Sequence, residues 1–179
     1  MRKIYQRKCL VCKEKFTPQN STQIVCSPSC SLEYIKQKKA KEWKKEKKEI
    51  KEKLLTKKDY LNILQKVFNT FIRIRDKGKP CISCDKYLKE NDINAGHFYS
   101  VGAYPNLRFN EMNVHNQCIE CNLHKHGNVL EYDLRLPNRI GIKEYDLLKE
   151  SRLKPLKLDI QEVKDLIIVY KNKIKLLTK

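Results

Sequence analysis

The sequence predicts a small α+β protein of two modules joined by a long basic helix, and three observations carry that prediction. Eight cysteines fall as four close pairs: Cys9-x2-Cys12, Cys26-x3-Cys30, Cys81-x2-Cys84 and Cys118-x2-Cys121. Between the second and third pairs lies a Lys/Glu run of good helix formers, followed by an apolar stripe at helical spacing. Around the last two pairs the chain is turn-rich, with short extended pieces. A chain of 179 residues has room for one modest core or for two small modules, and the composition favours the second.

Two thiolates on one tight turn can share one ion, so close pairs of this kind supply tetrahedral sulfur to zinc. One such pair is weak evidence and four are strong. Disulfides are the competing use, but they belong to oxidising compartments, and the start Met1-Arg-Lys-Ile-Tyr-Gln-Arg-Lys lacks an apolar export signal. Two structural zinc sites are therefore expected, one on Cys9, Cys12, Cys26 and Cys30 and one on Cys81, Cys84, Cys118 and Cys121. No stretch approaches the apolar length that spans a bilayer, so a soluble, cytoplasmic protein without membrane contact is expected.

Residues 1–31 are short and polar, with Phe16, Ile24 and Val25 the few apolar candidates, too few to bury a core unless a metal replaces it. This is a zinc-ribbon-like knuckle. Residues 32–55 form a basic helical linker: from Lys36 to Lys58 there are twelve Lys against four Glu, and Trp43, Ile50 and Leu54 give only a thin apolar stripe. As one helix, residues 32–55 would span roughly 36 Å, enough to hold the knuckle away from the remainder. The net charge of +18 points to a polyanionic partner, nucleic acid first. Lys38, Lys41, Lys44, Lys45 and Lys48 are candidates to track phosphates; the competing role of the run is a solvated spacer.

Residues 56–150 make the second module. Thr56 and Asp59 can cap a helix whose Tyr60, Leu61, Leu64, Val67, Phe68, Phe71 and Ile72 recur at helical spacing and form core. Asp76-Lys-Gly78-Lys-Pro80 ends it. Extended pieces are expected near Asn94 to Tyr99 and Leu107 to Phe109, then a short helix from Cys121 or Asn122, stopped by Gly127 and Asn128. A ββα unit fits. A further segment lies near Lys143 to Lys149. Residues 151–179 contain the break at Lys154-Pro155 and a last helix opening at Asp159 with Glu162. Its Ile160, Val163, Ile167, Tyr170 and Ile174 share one face, read as core packing first and as a dimer surface second.

The chemistry concentrates in Asn113-Val-His-Asn-Gln-Cys118-Ile-Glu-Cys121-Asn122-Leu-His-Lys125, with His97 upstream in Ala95-Gly-His-Phe98. Phosphodiester hydrolysis needs a water stripped of its proton, a cation to neutralise the phosphate and stabilisation of the departing 3′ oxygen. His97, with an imidazole pKa near neutrality, is the candidate base. Asn122, its backbone fixed by the preceding cysteine, offers a hard oxygen for Mg²⁺ or Mn²⁺. Asn113 can bridge the intervening loop by side-chain to backbone bonds. The competing readings are a structural strand histidine and a loop asparagine without a role. Arg73, Arg75, Arg108 and Lys125 are candidate DNA contacts, Arg73 and Arg75 being equally the wet face of their helix. His124 and His126 are read as DNA-contacting, supporting or merely exposed.

At these residues the sequence resembles HNH endonucleases of the ββα-metal class, whose tail often reads N-x4-C-x2-C-[HN]-x2-K and stands here as Asn113, Cys118, Cys121, Asn122, Lys125. More widely, Phe71-Ile-Arg-Ile-Arg-Asp76, Cys81-Ile-Ser-Cys84, Ala95-Gly-His-Phe98, Leu107-Arg-Phe-Asn110 and His126-Gly-Asn128 are similar to the phage NinG (Rap) recombination-nuclease family, over roughly residues 1–150. The resemblance implies Mg²⁺-dependent cutting of branched recombination intermediates such as Holliday junctions and D-loops, with phage or host recombination proteins as further partners. It maps the catalytic triplet to His97, Asn113 and Asn122. One departure stands out: many HNH enzymes carry an Asp or His as a metal ligand just before the base, where this chain has Gly96. Asn94, His115 or His124 are candidates to complete the shell, with His115 preferred. The alternative reading is a non-catalytic zinc DNA-binding accessory protein, motivated by Gly96 and by Asn at the final metal position. Two opposed cuts in a junction would favour a homodimer.

Overall fold

A computed structural model describes residues 5–89, 92–154 and 157–179. The expected break at Lys154-Pro155 and the start of the N-terminal run fall partly outside the described residues. The architecture is α+β, with two compact units, Met1–Leu55 and Thr56–Lys179. Among the described residues no helix is long and apolar enough to cross a membrane.

In the first unit, strands β1 (Arg7–Lys8) and β2 (Lys15–Phe16) pair antiparallel, with Arg7 opposite Phe16. Cys9 is the one buried residue among those described in this unit, as expected of a module without an apolar core. Helix α1 covers Pro28–Lys53 and buries none of its residues. It starts earlier than the expected residue 32, because Ser27 accepts a hydrogen bond from the Cys30 N–H at 3.3 Å and Pro28 takes the first helical position, where a missing N–H costs nothing. Cys30 therefore sits in the first helical turn.

The second unit runs α2 (Lys57–Arg75), β3 (Ile93–His97), a 3-10 turn (Pro105–Leu107), β4 (Val114–Cys118), a π-helical turn (Glu120–His124), α3 (Val129–Ile140), α4 (Ile142–Ser151) and α5 (Ile160–Leu177). Capping boxes open α2 at Thr56/Asp59 and α5 at Asp159/Glu162. The two helices pack through aromatic rings: Tyr170 stands 4.9 Å from Phe68 and 5.2 Å from Phe71, centroid to centroid. A second core gathers Ile82, Phe98, Leu107, Tyr132, Leu136 and Leu148. Strands β3 and β4 are antiparallel, with Ile93 opposite Cys118, Gly96 opposite His115 and His97 opposite Val114.

Asp76, 1 % exposed at the end of α2, joins that helix to β4. It accepts a two-point contact from Arg75 (3.0 and 2.8 Å) and a bond from the Asn116 N–H (3.1 Å). Arg75 also donates to the carbonyls of Glu111 and Val114, each at 2.8 Å. The charges cancel in place, and burial against this cation leaves the Asp76 carboxyl below its usual range despite the cost of desolvation.

Two elements differ from the sequence expectation. The second strand is β4 rather than Leu107 to Phe109, where the chain makes the 3-10 turn that seats Leu107 in the core. All five residues of β4 are buried, although His115, Asn116 and Gln117 are polar, so the alternation that marks a half-buried strand is missing from the sequence. Helix α3 is the other difference, since Gly127 and Asn128 read as a stop. Asn128 instead adopts a left-handed φ of 44° that turns the chain directly into α3, and Tyr132 and Leu136, one turn apart, bury its inner face.

Candidate functional site

Each cysteine set closes into one cluster whose sulfurs lie within 4.8 Å of one another. The closest recorded pairs are Cys12–Cys26 at 3.5 Å, Cys26–Cys30 at 3.6 Å and Cys84–Cys118 at 3.8 Å. Four sulfurs each about 2.3 Å from a tetrahedral zinc stand about 3.8 Å apart, so both sets fit the ion. In the second set the Cys118 N–H points at Cys81 Sγ (3.4 Å) and the Cys121 N–H at Cys118 Sγ (3.3 Å). The Asn128 amide reaches Cys121 Sγ at 3.6 Å. Such N–H donors stabilise thiolate and orient it. This cluster pins the end of β4 and the π-helical turn that holds Asn122.

His97 ends β3, half-buried, with Nε2 3.0 Å from the Arg108 carbonyl. A carbonyl can only accept, so Nε2 carries the hydrogen and Nδ1 keeps its lone pair. Burial lowers the ring's pKa from 6.5, opposed by the Arg108 carbonyl, which favours the protonated ring. The ring is thus a neutral base at neutral pH.

Asn113 is fully buried and closes the loop that follows His97. Its Oδ1 accepts from the Tyr99 N–H (2.8 Å), and its Nδ2 donates to the carbonyls of Tyr99 (3.0 Å) and Leu107 (3.1 Å). Its own carbonyl accepts from the Phe98 N–H at 2.8 Å. Asn122 is half-buried in the π-helical turn, its carbonyl accepting from the Gly127 N–H at 3.1 Å. Among the described residues no hydrogen bond joins His97 to Asn122.

The link between them runs through Gln117, a residue the sequence reading does not single out. Gln117 is fully buried, and its Nε2 donates to Ser83 Oγ at 2.7 Å and to the Gly127 carbonyl at 2.5 Å. One amide therefore ties the first cysteine turn, the segment closing the Asn122 turn and β4. A Cβ added at Gly96 would stand 2.2 Å from Gln117 Oε1 and 2.9 Å from Gln117 Cβ. Glycine precedes His97 because Gln117 fills the space where a side chain would stand. Gln117 Oε1 itself has no hydrogen-bond partner among the described residues. The available signal was register: with Gly96 opposite His115 and Asn94 opposite Gln117, positions 96 and 117 share one face of the hairpin.

The remaining candidates divide. His115 is 3 % exposed, its Nδ1 3.0 Å from the Tyr132 hydroxyl, which in turn donates to the Gly96 carbonyl at 3.2 Å. Burial, with Arg75 adding to it, pushes its pKa down to about 3. The structure makes it a neutral core residue beneath the hairpin rather than an accessible ligand for a hydrated cation. Arg75 is spent on Asp76 and two carbonyls, so it braces the fold instead of meeting phosphate. Arg73 is exposed. Arg108 is held by Gln65 through Nε at 2.6 Å. Lys125 is exposed and paired with Glu120 at 2.8 Å. Lys38, Lys41, Lys44, Lys45 and Lys48 are all exposed on α1.

The family model described as "Bacteriophage Lambda NinG protein" matches residues 1–179. The chain belongs to the NinG family. It is 36 % identical over 193 residues to protein ninG of Escherichia phage 933W, covering 98 % of this chain and 95 % of that one. It is equally 36 % identical, over 195 residues and the same shares of each chain, to the ninG proteins of Escherichia phage lambda and Salmonella phage P22. No solved structure matches the chain. The NinG match takes in α3, α4 and α5 as well as both cysteine clusters, beyond the roughly 150 residues over which the motifs show resemblance.

Proposed function

We propose that this NinG-family chain is a Mg²⁺-dependent, structure-selective DNA endonuclease of HNH type, acting on branched recombination intermediates such as Holliday junctions and D-loops. The observation that carries the reading is His97: a half-buried strand-end imidazole whose tautomer is set by the Arg108 carbonyl, on a hairpin whose second strand runs into a cysteine tetrad and then Asn122. That order of parts is the one a ββα-metal site requires.

In the mechanism, His97 Nδ1 takes a proton from water as the oxygen attacks phosphorus. The Arg108 and Ala95 carbonyls, which both favour the protonated ring, stabilise the imidazolium that results. Asn113 fixes the strand end from which the ring projects. A divalent cation would be held by hard oxygen, and the side-chain carbonyl of Asn122, half-buried in the turn fixed by the second cysteine cluster, is the donor that would hold it, with waters completing the shell. Mg²⁺ or Mn²⁺ on that oxygen would supply charge neutralisation to the phosphate and to the departing 3′ oxygen. Both zinc sites are structural. Arg73, Arg108 and the lysines of α1 supply the sequence-independent hold on the DNA backbone.

The preference for branched DNA, a homodimer, recombination-protein partners and a place in the host cytoplasm follow from the family resemblance. The test is cleavage of labelled linear duplex, D-loop and four-way-junction DNA with and without Mg²⁺. Metal-dependent cutting of the branched forms supports the proposal. Tight binding without cutting, in Mg²⁺ and in Mn²⁺, would instead make the chain a zinc DNA-binding accessory protein.

A further inference from the structure

A cleft of about 520 Å³ opens within the second unit where the starts of α2 and α5 meet the loop before β4. Three of its lining residues are cations, Lys57, Arg108 and Lys157, and none is acidic. Its apolar lining comes from Leu61, Phe109, Leu158 and Leu166. The Phe109 ring is held edge-on against Phe68 at 5.8 Å, and the Arg108 guanidinium carbon lies 5.1 Å from the Phe109 centroid. Two lining amides have one function spent and one spare. Asn106 uses Nδ2 on the carbonyls of Ser151 and Lys154 (2.9 and 2.8 Å), which leaves its Oδ1 to accept. Asn110 uses Oδ1 on the Met112 N–H (2.8 Å), which leaves its Nδ2 to donate. The cleft adjoins the candidate active site through one residue, since the Arg108 carbonyl is the group that holds His97.

Cations with no carboxylate within ion-pair distance among the described residues ask for phosphate, and an apolar lining with an aromatic ring asks for a planar base. In duplex DNA the base faces are hidden in the stack and the pairing edges are used. Only an unpaired strand offers phosphates, ring faces and free donor and acceptor edges together. We infer that this cleft binds an unpaired DNA strand beside His97 and is the part of the protein that distinguishes DNA carrying an unpaired strand, such as a D-loop, from linear duplex, an inference that gives the nuclease reading part of its selectivity and rests on it for that meaning.

The test is fluorescence anisotropy with a labelled oligothymidine and a duplex of equal length, without Mg²⁺, comparing wild type with Lys57→Gln/Lys157→Gln. Zinc content and circular dichroism confirm that the variant is folded. Each phosphate contact on a single strand contributes about 0.7 to the slope of log K against log salt, so losing two should flatten the oligothymidine slope by about 1.4. At 0.1 M salt that slope corresponds to roughly 25-fold weaker binding relative to a 1 M reference. Duplex affinity should change by less than about two-fold. Unchanged oligothymidine binding, equal weakening on duplex, or a wild type that does not bind oligothymidine would overturn the inference. A wild type that binds oligothymidine through these lysines yet cuts no DNA would overturn the nuclease reading and leave the cleft standing.

Discussion

Gly96→Ala should cost far more than a methyl group in a strand normally does. Gly96 does not have a positive φ, unlike Gly78, Gly127 and Gly141, so the backbone would accept a side chain and the whole cost is contact. The new Cβ meets Gln117 Oε1 at 2.2 Å, and that oxygen can swing aside only by taking Nε2 off Ser83 and Gly127. It also meets Gln117 Cβ at 2.9 Å, an atom tied to the β4 backbone. Overpacking at about 1–3 kcal/mol and two buried hydrogen bonds at about 1 kcal/mol each give roughly 3–5 kcal/mol. Gln117→Ala alone loses the same two bonds and leaves a small cavity, roughly 2–3 kcal/mol. In the double variant the methyl group added at position 96 enters the space left by the amide and meets only the Cβ that alanine keeps at position 117, so its cost should exceed that of Gln117→Ala alone by about 1 kcal/mol and the coupling should be about 2–4 kcal/mol, around the upper end for residues in contact. The single tryptophan, Trp43, lies on α1 in the other unit, so its fluorescence reports the wrong module. Hydrogen exchange of the β3–β4 ladder amides across a urea series, at matched zinc content, reads the local stability directly. Costs that add to within about 0.5 kcal/mol would refute the claim that Gln117 is the reason for glycine at position 96.

Three further outcomes are expected. His115 has a folded pKa of about 3 against 6.5 for the free ring, so its contribution is complete above pH 6.5 and is lost as pH falls towards 3, a loss of the order of 4–5 kcal/mol; His115→Gln should flatten that acid limb in urea titrations, and an unchanged limb would contradict the buried neutral state. Asp76→Asn should destabilise the second unit by about 3–5 kcal/mol by leaving Arg75 buried without its counter-charge, while the salt dependence of duplex binding stays as in wild type; a flatter slope would return Arg75 to the DNA surface. Native mass spectrometry should find two zinc ions per chain, one after Cys84→Ser and one after Cys12→Ser, and loss of both ions from either variant would show that the two sites do not form independently.

How much of this was legible depended on whether a residue's task is local. The cysteine tetrads, the capping boxes at Thr56/Asp59 and Asp159/Glu162 and the apolar faces of α2 and α5 are written in short-range spacing, and the structure forms each of them. Asn113 bridges backbone groups on both sides of the loop, as an asparagine ahead of a strand can. β4 was hidden because His115, Asn116 and Gln117 are each satisfied by partners distant in sequence, Tyr132, Asp76 and Ser83, which no local pattern announces. Arg75 looked like a helix-surface cation for the same reason: its acceptors, Glu111 and Val114, lie some forty residues on. Gly96 looked like a missing ligand until the register set it against Gln117.

The account turns on His97 as the base that activates water, and the most direct measurement is the rate of four-way-junction cleavage by His97→Ala at matched zinc content and matched DNA affinity. The account predicts that Mg²⁺-dependent cutting falls by at least about 10²-fold, the usual contribution of a general base, while binding and both zinc ions are retained. Cutting by His97→Ala at the wild-type rate would contradict it.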